Sequence, residues 1–365
     1  MKNKAFDKKT IELLRKYAAV ADEKSVLQPE QLKLIYKHEW FKIFVPKKYN
    51  GLELSLPDAL LLEEQLAYID GSLGWTITLC AGANLFVGYI NKKIAKQIFS
   101  RQKVCFGGSG AATGKAAITD DGFIINGYWK YATGTPHLTH FTANCIIEKD
   151  GKPVLNKNNQ PLIQSFFFKR SEVKVIEDWN TPGLKATAGH SFSVGNLYVP
   201  NERSFIINAE TVTHDNAVFQ FPFLQFAELT LAVNTLGMTS HFLKEANAVI
   251  KKRKQAKKIT IKQYDYSNKL IEAASNKIEM FRTKFHEAAA AAWNELLIKK
   301  SIQAKNLNNI SKLSAQLVKE CRVRAAAVYP YCGLSAVNGK TEIERIFRDL
   351  FTASQHSLLN YTGIE

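Results

Sequence analysis

The sequence predicts an α+β multidomain protein: an N-terminal helical domain over residues 1–103, a middle antiparallel β-barrel-like domain over 104–210, and a C-terminal four-helix bundle over 211–365. Three observations predict it. Apolar residues recur at helical spacing in the first and last regions. Short β-rich runs, separated by Asp-Gly turn signals, fill the middle. No strand–helix–strand alternation occurs, which excludes a doubly wound dinucleotide-binding domain.

In the first region, "SLPDALLLEEQLAYID" opens with Ser55 as N-cap, Pro57 just inside and Asp58 in the first turn. "LGWTITLCAGANLFVGYI", Leu73 to Ile90, is nearly long enough to span a bilayer. It contains two threonines, an asparagine and three glycines and lacks flanking aromatic belts, so it is read as a buried core helix. "KKIAKQIFS" repeats the amphipathic pattern. From Val104 the texture changes to "KAAIT", "FIINGYWKYATG", "FTANCIIEK", "QSFFFKR", "VKVIEDW" and "SFSVGNLYVP", with turns at Asp121-Gly122 and Asp150-Gly151. After about residue 210 the helical period returns. Leu270, Ala274, Ile278, Phe281, Phe285, Ala288, Ala292 and Leu296 form one stripe; Ile310, Leu313, Leu317, Cys321 and Val328 form another. Pro330 and Gly333 mark the break before the last segment.

A net charge of +16 favours an anionic partner. The densest basic run, Lys251 to Lys262, lacks interleaved aromatics, zinc-finger spacing and a recognition-helix pattern. It is read as a solvated loop between helices rather than a nucleic-acid site. Cys80, Cys105, Cys145, Cys321 and Cys332 are odd in number and show no C-x-x-C spacing. With no apolar signal core after the polar start, they are expected as free thiols of a cytoplasmic protein that does not enter a membrane. Three catalytic signals fail. "GGSGAATG", Gly107 to Gly114, precedes a strand, so it lacks the helix dipole of a phosphate loop and suits a strand whose backbone a flat ligand approaches. His137 and His140 have no further ligand in step, so no metal is expected there. A G-x-S-x-G elbow is absent.

The domain order, together with local sequence, resembles the acyl-CoA dehydrogenase superfamily of flavoenzymes over nearly the whole chain. "VPKKYNGLELSLPDALLLEEQLAYIDGSLGW", "GYWKYATGTPHLTHF", "DWNTPGLKATAGHSFSVGNLYVP" and "IERIFRDLFTASQH" resemble that family's motifs in the family's order. The resemblance implies a flavin, FAD or FMN. Trp129 and Tyr131 would form its aromatic wall, Thr133 and Gly134 would meet its polar edge, and Lys185, Arg348 and Asp349 would complete the cofactor site. It also implies a homotetramer.

Many acyl-CoA dehydrogenases carry a glutamate base about eight residues beyond the Arg-Asp pair. Here that position is Ser357, and no acid follows until Glu365. Serine does not ionise near neutral pH without an activating base. Glu228 and Glu245, on the first bundle helix, stay open as replacements. A second branch of the fold, the two-component flavin-dependent monooxygenases, takes reduced flavin from a separate reductase. "RDLFTASQH" and the Thr133-Gly134 pair resemble that branch. The resemblance implies that Thr133 bonds near flavin N5 and that His356 manages a proton or polarises the substrate. At about 100° per residue, Asp349, Thr352 and His356 would share one sector of a single helix, with Asp349 orienting His356.

Two departures alter the phosphate-contact pattern. "KKRKQAKKITIKQYD" replaces the family's R-x-x-F-G segment, leaving Arg253 or nearby lysines for phosphate, and Lys185 and Gly189 replace an arginine and a serine. The expectation is a reduced-flavin-dependent monooxygenase acting on a small organic, possibly aromatic, substrate. An acyl-CoA dehydrogenase, and a non-catalytic flavin-fold protein binding an anionic partner, are the two alternatives.

Overall fold

The computed structural model describes residues 6–360. Glu365, the last acid noted above, lies outside them. Five helices come first: α1 (Lys8–Lys24), α2 (Pro29–Lys37), α3 (Leu56–Ile69), α4 (Gly71–Asn84) and α5 (Lys92–Phe99). The α3 cap is as predicted, with Ser55 Oγ accepting from Asp58 N at 3.2 Å. Asp70 caps α4 by accepting from Leu73 N at 2.8 Å. Nearly every residue of α4 is buried, which is why its sequence has no polar face.

Eight strands follow: β1 (Phe106–Ile118), β2 (Gly122–Trp129), β3 (His140–Lys149), β4 (Lys152–Pro153), β5 (Ile163–Lys169), β6 (Lys174–Ile176), β7 (Ser191–Pro200) and β8 (Ser204–Phe205). They form one sheet in the order β6-β7-β2-β1-β3-β5-β8, with β4 on β3. The Asp150-Gly151 signal is a hairpin turn with both residues at positive φ. Two features correct the sequence expectation. The sheet is open, with β6 and β8 at its ends, rather than closed into a barrel. It is also mixed, because β1 and β3 run parallel. After the β1–β2 hairpin the chain crosses over and enters β3 on the other side of β1. Alternation within a strand carries no information about which neighbour it will pair with.

The last region holds α6 (Phe223–Gln255), α7 (Ile261–Lys299), α8 (Ala304–Val328) and the short α9 (Glu342–Ala353). Ala274, Ile278, Phe285, Ala292 and Leu296 of the predicted α7 stripe are buried, and so are Ile310, Leu317, Cys321 and Val328 of α8. Of the four helical segments expected as a bundle, three are long and the fourth spans three turns; α3 of the first region also packs on α6. The basic run is mostly exposed, as expected, but Lys251–Gln255 is the end of α6 rather than loop. Cations there complement the helix dipole. Arg253 donates to Tyr331 O at 2.6 Å. Among the described residues, no helix is long and apolar enough to cross a membrane, and all five cysteines are free and buried.

Candidate active site

Two segments near the ends of the sheet are joined by backbone hydrogen bonds. Residues 130–139 follow β2, and residues 177–190 precede β7. Ala132 N donates to His190 O at 3.0 Å, and Gly134 N to Thr187 O at 2.7 Å. Gly134 has φ +78°, a value suited to glycine. Trp179 is fixed at both ends: its N donates to His190 Nδ1 and its Nε1 to Leu184 O, each at 3.0 Å. The second segment is also clasped to α9. Asp349 Oδ1 accepts from Leu184 N at 2.5 Å, and Thr352 Oγ1 accepts from Gly183 N at 3.1 Å. A Cβ on Gly183 would lie 2.1 Å from Arg348 O, so only glycine permits this approach.

These segments, α4, α6 and the end of the chain enclose two adjoining cavities. The smaller, about 230 Å³, lies between the β1 glycines Gly107, Gly108 and Gly110 and the aromatic rings of Phe86, Phe205, Phe223 and Phe226. The larger, about 610 Å³, is lined by Trp75, Tyr131, Trp179, Leu184, Phe351 and Thr352 among others. Leu79, Thr133 and His356 line both and mark the seam. Among the described residues, no Asp, Glu, Lys or Arg lines either lobe.

Among the described residues, His356 is the one lining side chain of a type that exchanges a proton near neutral pH. Burial holds its pKa below the ordinary histidine value, which keeps the imidazole neutral. Its Nδ1 is buried with no hydrogen-bond partner. The ring lies 6.2 Å from that of Trp75. The single-helix placement of His356 is corrected: α9 ends at Ala353, and His356 is in extended backbone beyond it. The terminating contacts are tertiary. Arg322, from α8, donates to Ser354 O at 3.1 Å and to Asn360 Oδ1 at 3.2 Å, and Asn360 Nδ2 donates to Ser354 O and His356 O. Asp349 therefore shares no helix face with His356. It is buried near Asp70, and both carboxyls are held above their usual range, chiefly by burial.

The other sequence-selected residues divide. Thr133 is on the seam, and Tyr131 is a largely exposed wall of the larger lobe in the left-handed backbone region. Trp129 lines neither lobe. It is wholly buried in the sheet core, stacked on Phe192, with Nε1 donating to Asn144 O at 3.1 Å. Lys185 is half-buried and also lines neither lobe. Arg348 is taken up by Asp22 (2.8 Å), Glu344 (2.5 Å) and Pro182 O. Glu228 faces α8, where Ser311 Oγ donates to it at 2.5 Å, and Glu245 lies near His241. Neither glutamate lines the cavities. Sequence reasoning did not single out Trp75, Leu79, Trp179 or the phenylalanine wall. Trp179 stood inside a quoted motif. Trp75 and Leu79 lay in an apolar run whose residues are buried on every side, so nothing marked a cavity-facing side.

Residues 229–361 match the family described as "Acyl-CoA dehydrogenase, C-terminal domain". Over 352 residues the chain is 21% identical to indole-3-acetate monooxygenase of Acinetobacter baumannii, covering 94% of this chain and 87% of the relative. Its C-terminal region is thus similar to the acyl-CoA dehydrogenases. Over most of its length the chain is similar to oxygenases. The "flavin-dependent monooxygenase, oxygenase subunit HsaA" of Mycobacterium tuberculosis is 23% identical over 62% of this chain and 57% of its own length. The HsaA crystal structure superposes with a TM-score of 0.87 at 19% identity, covering 96% of this chain and 93% of that one. XiaF from Streptomyces sp., solved with FADH2 and glycerol, gives 0.85 at 18% identity and covers 96% and 90%. The predicted resemblance to the superfamily and its monooxygenase branch is thus borne out.

Proposed function

We propose that the protein is the oxygenase component of a two-component system: a reduced-flavin-dependent monooxygenase acting on a small aromatic substrate. One observation carries the reading: Thr133 and His356 stand together on the seam of two adjoining lobes that no carboxylate among the described residues lines. The oxygenases above supply the chemical class. The relative named for indole-3-acetate and the structure holding FADH2 support an aromatic substrate and a flavin.

The residues fit a flavin. The larger lobe has the aromatic rings of Trp75, Tyr131 and Trp179 for a flat plate, and its volume is within the usual range of cofactor sites. The smaller lobe suits the substrate. An apolar cavity of about 150 Å³ holds benzene, so about 230 Å³ between phenylalanine rings accommodates one or two fused rings. Bound reduced flavin would supply two electrons to oxygen, one atom passing to the substrate and the other leaving as water. Thr133 places a hydroxyl where the lobes meet. His356, neutral and with Nδ1 unpartnered, accepts a proton from a substrate hydroxyl or ring N–H and returns it. The phenylalanine wall excludes water.

Dehydrogenation of an acyl-CoA needs a base at the α-carbon. Glu228 and Glu245 do not line the lobes, which removes the support for that alternative. We further propose a separate flavin reductase as partner, a homotetrameric assembly and a cytoplasmic location; analytical ultracentrifugation tests the assembly. The function is tested by mixing the protein anaerobically with reduced FMN or FAD, adding oxygen and following absorbance by stopped flow. A delayed return of the oxidised-flavin band, altered by His356→Ala or Thr133→Val, supports the reading. Immediate return in the unmodified protein overturns it, and acyl-CoA-driven bleaching of bound FAD would establish the dehydrogenase instead.

A further inference from the structure

Away from the cleft, three side chains converge between α6 and the start of α9. His241 and Glu245 are one turn apart on α6, and Glu342 is the first residue of α9. His241 is 1% exposed, and neither of its ring nitrogens makes a hydrogen bond. Its Nε2 lies 3.5 Å from Glu342 Oε1 and 3.8 Å from Glu245 Oε1. One donor atom from each of the three residues lies within 4.8 Å of the others. These separations are long for hydrogen bonds. They approach the edges of a coordination polyhedron instead. Ligands about 2.1 Å from a common zinc-class ion stand roughly 3.0–3.4 Å apart, so closing the triad requires small shifts at the Nε2 edges and up to about 1–2 Å between the carboxylates, which lie within 4.8 Å of each other.

We propose that His241, Glu245 and Glu342 bind a divalent transition-metal ion of the zinc class, tying the start of α9 to α6. One imidazole and two carboxylates make a borderline-soft set that favours zinc or cobalt over magnesium or calcium. Glu245 and Glu342, though not His241, also line a cavity of about 460 Å³ with room for a water as fourth ligand; Lys252, Arg253 and Lys258 line it too. The two carboxylate charges would offset the nearby cations Arg15, Lys244 and Arg345. Arg345 is 4.0 Å from Glu342 Oε1 and 3.8 Å from Asp70 Oδ2, and on metal binding it keeps Asp70 as its partner. Glu342 also gains from the α9 dipole. That gain explains an acid at this position but leaves the orientation of His241 unaccounted for.

The test is a titration of the full, untagged chain with Co²⁺, read by visible absorbance, then Zn²⁺ competition and thermal melts. We expect one equivalent of Co²⁺ to give ligand-field bands that Zn²⁺ removes, and a melting point raised by several degrees. The double variant Glu245→Gln/Glu342→Gln is expected to lose the bands and to weaken binding at least about 100-fold, the upper end of what loss of an outer-shell partner costs. Its metal-free melting point should fall only slightly, through the lost dipole contact of Glu342, so a cooperative melt near the parent's separates lost ligation from lost folding. If the double variant does not fold, Glu342→Gln alone, at a partly exposed side chain, carries the test. No stoichiometric binding, or binding unchanged in the variant, overturns the proposal.

Discussion

Substitution of Asp349 separates a hydrogen-bond role from a charge role. The side chain is 1% exposed. Its Oδ1 accepts from Leu184 N at 2.5 Å, and its Oδ2 is buried without a partner. Burial, reinforced by Asp70, raises its pKa, so the folded protein holds a proton that the unfolded chain releases. Between the unfolded value near ~3.9 and the raised folded value, the native state binds more protons, so this carboxyl makes stability fall as pH rises, by at most about 1.4 kcal/mol per pH unit. Asp349→Ala removes the acceptor and strands a buried N–H, costing about 1–3 kcal/mol, with about 1 kcal/mol more for the void. Asp349→Asn keeps an acceptor and cannot ionise. It should cost under ~1 kcal/mol at about pH 4, and it should remove the decline between there and the folded pKa of about 8, gaining on the parent as pH rises. Urea denaturation of the parent and both variants at about pH 5, 7 and 9 measures this. If Asn destabilises as much as Ala, and more so as pH rises, Asp349 works as an ionised partner of Arg345 and the reasoning fails. Leu184 lines the larger lobe, so flavin affinity should fall with Ala and persist with Asn.

Gly183→Ala forces the 177–190 segment off α9, and melts should show a loss of about 1–3 kcal/mol or more together with weaker flavin binding. Trp129→Phe loses the bond to Asn144 and costs about 1–2 kcal/mol by denaturation, while flavin affinity is unchanged because the indole lines neither lobe. Arg322→Ala frees the end of the chain, and substrate oxygenation measured with a supplied reductase should fall further than stability does. For His356 the folded pKa lies below the free value of ~6.5, so oxygenation holds at neutral pH and declines only as pH drops below that value. His356→Gln should abolish that acid limb in the pH–rate profile.

Periodicity located the helices because burial of one face repeats every 3.6 residues, and the Asp-Gly pairs located hairpins, of which Asp150-Gly151 turns through two positive φ angles. Neither signal reports which strands become neighbours, so the parallel β1–β3 pair and the open sheet could not be read. Thr133 and His356 were found through motif resemblance, and the structure places both on the seam. The helix assigned through His356 failed for a different reason. No glycine or proline interrupts Phe347–His356, and the helix is ended by Arg322 and Asn360, contacts that a local pattern does not contain. Trp129 and Tyr131 are two residues apart in the sequence, yet the first is wholly buried and the second largely exposed. The chain leaves the strand after Trp129, and Tyr131 turns through a left-handed backbone angle.

The arrangement at Ser354 also divides how the site is held. Gly183 and Leu184 are clasped by α9, whereas His356 has its own set of contacts: its N–H donates to Ala353 O, its carbonyl accepts from Leu359 N and Asn360 Nδ2, and Arg322 of α8 ties Ser354 and Asn360. The wall of the larger lobe and the imidazole on the seam are thus anchored on different helices, and a replacement at Arg322 acts on the imidazole without loosening the wall.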